Sequence, residues 1–126
     1  MTGGRAPQSL GHRGEELAAG HLRRRGYRIL ETNARSRLGE IDIIAEAPGE
    51  GDRPLVFVEV KTRRGTAFGS PLEAVGPEKQ RRLARLAEAW RQQHPDLAHR
   101  PCRLDVIGIT IPRSGEPVIE HIEAAF

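Results

Sequence analysis

Along two stretches in the middle of the chain apolar side chains follow a strand-like period, and charges interrupt both. In residues 41–45, Ile41, Ile43 and Ala45 fall on one face, with Asp42 and Ile44 on the other. In residues 55–61, Leu55, Phe57, Glu59 and Lys61 share a face, and Val56, Val58 and Val60 take the opposite one. Pro48, Gly49, Gly51 and Pro54 punctuate the segment between them, which predicts an antiparallel hairpin. Carboxylates and an amine among such neighbours cost several kcal/mol unless they are paired or bound to a metal. Asp42, Glu59 and Lys61 are therefore the first candidates for chemistry.

The remaining pattern supplies the elements around this hairpin. Residues 9–25 read as a helix with Leu10, Leu17, Ala18 and Leu22 in one stripe; Glu15 lies at the edge of that stripe and Glu16 points away. Gly26 ends the helix, Tyr27 to Thr32 reads as a strand, and Asn33 to Leu38 as the turn into Gly39. After Lys61, Arg63 and Arg64 lead into a glycine-bounded loop, closed by the capping box Ser70-Pro71-Leu72-Glu73. A second helix runs from Gly76-Pro77-Glu78 to about Gln93, burying Leu83, Leu86, Ala87 and Trp90. Lys79 sits one turn before Leu83 on that face; Arg81, Arg82 and Arg85 look elsewhere. Arg103 to Ile111 is a fourth strand, parallel to the third through the helical crossover, and Pro117 to Ile122 an antiparallel fifth. The expected fold is α/β: a mixed central sheet, made of a three-stranded antiparallel meander and a crossover to a parallel strand, flanked by helices. Residues 1–126 form one domain, with 1–8 expected to be disordered.

Composition narrows the class. A chain of 126 residues buries a core without staples, and its single cysteine, Cys102, excludes an internal disulfide and a Cys-rich zinc site. Cys102 is read as a core residue rather than a nucleophile. No run spans a bilayer, and the N-terminus lacks the apolar segment of a signal peptide, so a cytoplasmic protein is expected. The net charge of +3 is unevenly spread: residues 1–37 and 61–113 are basic, whereas residues 38–60 hold six acids against Arg53. An acidic centre between basic flanks suits a cation held by carboxylates while guanidinium groups meet a polyanion, although solvated helix faces give similar counts. Of the 20 basic residues, only Lys61 and Lys79 are Lys. Where charge alone serves, this chain has Arg; a compact, tunable ammonium is kept for Lys61.

Asp42, then Glu59-x-Lys61, resembles the PD-(D/E)xK nuclease signature, with Ile41 in the place of the usual proline. The competing reading is a structural salt bridge at a sheet edge. The wider match rests on Gly14-Glu15, Gly26-Tyr27, Gly39-Glu40-Ile41-Asp42-Ile43-Ile44-Ala45 and Phe57-Val58-Glu59-Val60-Lys61-Thr62-Arg63. It continues through Phe68-Gly69, Pro71-Leu72-Glu73-Ala74-Val75, Lys79-Gln80 and Arg103-Leu104-Asp105-Val106. Over roughly His12 to Gly108 the chain resembles the YraN family of small bacterial proteins and, more distantly, archaeal Holliday-junction resolvases. Both belong to the restriction-endonuclease-like superfamily.

The resemblance implies a restriction-endonuclease-like fold and a metal-dependent endonuclease that hydrolyses phosphodiester bonds, with branched DNA as one substrate class. It maps the acidic residues onto Glu15, Asp42 and Glu59 and the lysine onto Lys61. Mg²⁺ or Mn²⁺ would be held by Asp42, Glu59 and the carbonyl of Val60, through few protein ligands and several waters. Arg63, Lys79, Gln80, Arg81, Arg82 and Arg85 are the expected nucleic-acid contacts, with DNA favoured over RNA as the partner. A junction resolvase would also need a two-fold homodimer. The tyrosine of the Gln-x-x-x-Tyr motif of related nucleases is absent, since Ala84 occupies that spacing after Gln80. Two alternatives stand beside the enzyme: a non-catalytic nucleic-acid-binding module, and a structural partner in a DNA-processing assembly.

Overall fold

The computed structural model describes residues 9–65 and 71–126. The expected disorder of residues 1–8, and the loop at 66–70 with its capping Ser70, lie outside them. One five-stranded sheet carries the strands in sequence order, β1 (Arg28–Ser36), β2 (Gly39–Glu46), β3 (Leu55–Arg64), β4 (Cys102–Ile111) and β5 (Val118–Ile122). Of these, β3 and β4 are parallel; the other neighbours are antiparallel. The expected mixed α/β architecture holds.

Helix α1 (Leu10–Arg24) covers one face of the sheet and α2 (Pro77–Gln92) the other. On the α1 side, Ala18, Ala19 and Leu22 pack on Ile43, Ala45, Val56, Val58, Ile107 and Ile109. On the α2 side, Leu83, Leu86, Ala87 and Trp90 pack on Ile44, Leu55 and Phe57. The alternation expected for β3 is thus observed, with Val56, Val58 and Val60 under α1 and Leu55 and Phe57 under α2. Leu22 and Phe57 are fully buried, and each apolar side chain of this size contributes about 1.5–3 kcal/mol.

The two ends of α1 are set by different means. The Ser9 hydroxyl accepts the His12 N–H at 3.1 Å and caps the start. Gly26, at φ 89°, turns the chain at the end into β1. Between them Gly14 lies so close to Thr62 of β3 that no Cβ fits. A larger residue there would push the first turn of the helix, and Glu15 with it, off the sheet.

One expectation about β1 was too short. The strand continues through Asn33 to Ser36, pairing Ala34 with Ile41 and Ser36 with Gly39. Asn33 nevertheless has φ 52°, a left-handed conformation that Asn tolerates better than most residues. Its turn-like chemistry is real, but it sits inside a paired strand. The segment Pro71–Ala74 forms a single 3₁₀ turn, and Pro71 lies over Gly108 of β4 where a side chain would collide with it.

The α1 face also buries Asp105, which is wholly inaccessible. Arg103 grips its carboxylate with two nitrogens, each at 2.9 Å, His121 Nε2 donates at 2.7 Å and the Ala124 N–H at 3.0 Å. His21 from α1 meets His121 at 3.3 Å, and Tyr27 bonds both Arg103 and Glu123. These bonds tie β5 and the C-terminal residues to β4 and α1. Burial alone would raise the Asp105 pKa, but the bonds from His121, Arg103 and Ala124 outweigh it and hold the carboxyl below its ordinary range.

Candidate active site

The register of the central hairpin runs from Glu46↔Leu55 to Ile43↔Val58, so its continuation sets Asp42 opposite Glu59. The ladder stops at Ile43, however, while β2 stays paired to β1 through Ala34↔Ile41. In the gap that opens, Asp42 Oδ2 accepts the Val60 N–H at 2.8 Å. The carboxylate thus takes the place of a strand acceptor. The same departure corrects the expected alternation: Ile41 packs with Ala34 and Ile44 on the α2 side instead of with Ile43. Once β2 has left β3, its side chains no longer follow the pleat of the shared sheet.

Glu59 and Lys61 follow Phe57 on the α2 face of β3, and the Lys61 ammonium stands 3.5 Å from Glu59 Oε1. Asp42, Glu59 and Lys61 line one pocket of about 330 Å³ with Gly39, Glu40, Leu83, Leu86, Lys79 and Arg82. Its floor is the opened hairpin and its far wall is α2. Lys61 pairs in register with Gly108, the residue covered by Pro71, so the turn after the β3 loop packs beside the lysine.

Glu15 approaches from α1. With the Asn33 amide assigned so that its nitrogen faces the acids, it donates to Glu15 Oε2 at 2.9 Å and to Glu40 Oε1 at 3.1 Å. Glu15 lines an adjoining cavity of about 430 Å³ with His12, Glu16, Ala19, Arg23, Thr32 and Asn33. Burial raises its pKa, Asn33 opposes that, and Glu40 adds to it. Asp42 is the extreme member of the group. Desolvation, followed by the charge of Glu59, lifts its pKa to about 7; the Val60 N–H works against this, and Glu15 and Glu40 reinforce it.

Two of these residues escaped the sequence reading. Glu40 stands two positions before Asp42, the spacing that puts strand residues on one side. Asn33 falls between the register pairs Thr32↔Ile43 and Ala34↔Ile41, which sets it across from Asp42 once β1 is extended past Thr32. The first was visible in the spacing; the second was hidden by the turn preference of Asn.

The expected nucleic-acid residues divide. Lys79, Arg81, Arg82 and Arg85 line, with Glu78, a cavity of about 460 Å³ beside the acidic pocket, and Lys79 and Arg82 border both. Arg63 lies at the end of β3, two residues beyond Lys61 and half-buried. The Gln80 amide instead donates to the Val75 carbonyl at 3.1 Å, fastening the 3₁₀ turn to α2. Cys102 corrects its assignment to the core: it opens β4 and is exposed.

Among the described residues no three His, Cys, Asp or Glu side chains converge as a ready-made metal cage. The donors still suit a hard cation: carboxyl oxygens on two adjacent strands, one of them lifted to a pKa of about 7 by burial and the charge of Glu59. Mg²⁺ characteristically uses one or two carboxylates and keeps its waters. Asp42 and Glu59 fit that habit. Among the described residues no helix is long and apolar enough to cross a membrane.

Residues 14–109 match the family described as "Uncharacterised protein family UPF0102". The chain belongs to the UPF0102 family. A UPF0102 protein of Clavibacter michiganensis is 49% identical over 118 residues, covering 94% of this chain and 96% of that one. Another, from Pelobacter propionicus, is 49% identical over 119 residues, covering 94% and 83%. A third, from Streptomyces griseus, is 49% identical over 113 residues, covering 90% and 92%. The matched segment begins at Gly14, where α1 meets Thr62, and ends within β4, so it holds Glu15, Asp42, Glu59, Lys61 and the basic face of α2.

Proposed function

We propose that this UPF0102 protein is a metal-dependent endonuclease acting on nucleic-acid phosphodiesters, DNA more readily than RNA. One observation carries the reading: Asp42 is left poorly satisfied where the hairpin opens, opposite Glu59 and in one pocket with Lys61. Asp42, Glu59 and the Val60 carbonyl would hold Mg²⁺ or Mn²⁺, with Glu15 supporting a second ion or its waters. The ion supplies polarisation of the phosphate and a more acidic attacking water. Lys61, held by Glu59, orients that water or meets the charge that develops on the phosphate. Asn33 fixes Glu15 and Glu40 at the pocket rim. Arg81, Arg82 and Arg85 neutralise the backbone next to the site, with Arg63 beyond Lys61.

The resemblance to junction resolvases makes branched DNA the first substrate class to test, and cleaving opposed strands of a junction requires a two-fold dimer. A cleavage assay over four-way, flapped, nicked and linear DNA, with Mg²⁺ or Mn²⁺, is expected to show divalent-dependent cutting that the Asp42→Asn, Glu59→Gln double variant loses. Equal cutting by the variant, or none by wild type on any of these substrates, rejects the reading. A second reading has its own observation, because the arginine-lined cavity adjoins the acids without depending on them. Tight, salt-sensitive binding with no cutting would identify a binding module.

A further inference from the structure

The chain's two lysines line one pocket. Lys61 comes from β3 and Lys79 from the first turn of α2, yet both line the acidic pocket. Two ammonium groups lining one pocket repel unless an anion sits between them; in keeping with this, the neighbouring Lys61 lowers the pKa of Lys79. Glu59 faces the pair, 3.5 Å from Lys61. The opposite wall is the reverse: Asp42 and Glu40 stand on β2 with an excess of negative charge. The pocket is therefore bipolar, with an acid wall on the hairpin and an amine wall between β3 and α2.

We propose that Lys61 and Lys79 grip the same phosphate group of the nucleic acid, so that α2 contributes a second lysine to the reacting centre. This rests on the nuclease reading and sharpens it by giving the scissile phosphate a place. A phosphodiester has two non-bridging oxygens, one for the acid wall's cation and one for the amine wall. Lys79 also borders the arginine-lined cavity, which makes it the junction between the backbone track and the site. Arg82 lines both spaces as well and extends the track. The composition agrees: 18 of 20 basic residues are Arg, and the two exceptions are the two that line this pocket. Two ammonium groups offer compact point charges beside Glu59, where guanidinium groups would present planar forks with a fixed aim.

The test counts neutralised phosphates without using turnover. Binding of a fluorescent four-way DNA junction is measured in Ca²⁺, across a salt series, for wild type, Lys61→Met, Lys79→Met and the double variant; Met keeps the apolar stem. Each phosphate that the protein ceases to neutralise lowers the slope of log K against log salt by about 0.9 on duplex DNA. If both amines serve one phosphate, the slope of the double variant falls by about 0.9 in all; if they serve two, it falls by about 1.8. Arg81→Met with Arg85→Met, both lining the neighbouring cavity, is the control for separate phosphates, and its slope is expected to fall by about 1.8. An additive decrease for Lys61 with Lys79 overturns the shared grip and leaves the nuclease reading intact. Failure of wild type to bind the junction at all overturns the shared grip, and the cleavage assay on the other substrates then decides the nuclease reading. Thermal melts verify folding, and Lys61→Gln replaces Lys61→Met if the latter unfolds.

Discussion

Asp42 and Asp105 are two aspartates on the same sheet, each set in an apolar strand, and their surroundings are opposite. Asp105 is wholly buried and receives bonds from Arg103, His121 and the Ala124 N–H. Among the described residues Asp42 receives one bond, from the Val60 N–H, and its charged neighbours Glu59, Glu15 and Glu40 are acids. The pKa of the first is held below the ordinary range, and that of the second rises to about 7. Glu46 repeats the satisfied pattern, paired with Arg53 at 2.8 Å and Arg100 at 2.9 Å. Two buried carboxylates are fully partnered and the third is left short, which makes Asp42 the one candidate for a ligand, as the proposed function requires. Position in an apolar strand singles out all of these acids, and only the inventory of partners separates structural from functional.

The largest effect expected from breaking this contrast falls on Asp105. Removing it strands Arg103 and His121 around a buried hole, and breaking a buried pair of this kind costs about 3–5 kcal/mol. Asp105→Ala should lower the denaturant midpoint by an amount of that size. A change below about 1 kcal/mol would mean that the network adds little to stability. Activity should fall only with the folded fraction.

On the Asp42 side the strongest effect is kinetic. If Lys61 places the attacking water or meets developing charge, Lys61→Arg should lower the cleavage rate by about 10²–10³, roughly 2.7–4 kcal/mol, although charge is kept. A guanidinium is planar, bulkier and aimed differently from a point-like ammonium. Arg63→Lys, two residues on, is the control and should be mild. A Lys61→Arg enzyme turning over near the wild-type rate removes the catalytic role of that lysine.

This contrast also explains what the sequence let one read. The five strands, both helices and the face shared by Glu59 and Lys61 followed from period two and period 3.6, because packing against α1 and α2 enforces those periods. Asp42 came with them, since the hairpin register opposes it to Glu59. What stayed hidden depends on where the pattern breaks. Nothing local marks the end of the β2–β3 ladder at Ile43, and that ending turns Ile41 under α2 and points Asp42 at the Val60 N–H. Asn33 was misplaced because its conformation is that of a turn although it lies within a strand. Asp105 was open to the argument that found Asp42, a charge in an apolar strand. The network around it, however, draws on residues as distant in sequence as Tyr27 and His121, which only the folded chain brings together.

The smallest effect is also the one with the most telling sign. Folded, Asp42 releases its proton near pH 7; in the unfolded chain it does so near 3.8. Between these values the folded state binds more protons, so stability falls as pH rises, and the whole cost is present above pH 7. Each pKa unit corresponds to about 1.4 kcal/mol, reduced here by partial access to solvent, so a gain of about 1–3 kcal/mol is expected on removing the charge. Asp42→Asn keeps an oxygen for the Val60 N–H and removes the repulsion with Glu59, Glu15 and Glu40. It should match wild type near pH 4 and be the more stable protein at pH 8 in the absence of divalent ions. Asp105 behaves the other way: its contribution is present above the ordinary carboxylate pKa and is lost only as pH falls below it. Chemical denaturation at pH 4.5 and pH 8 distinguishes the two aspartates. Mg²⁺ added at pH 8 should narrow the gap by stabilising wild type alone, because a ligand bound only by the folded protein shifts its stability. An Asp42→Asn variant less stable than wild type at pH 8 in chelator would show that this carboxylate is satisfied after all, and would place it with Asp105.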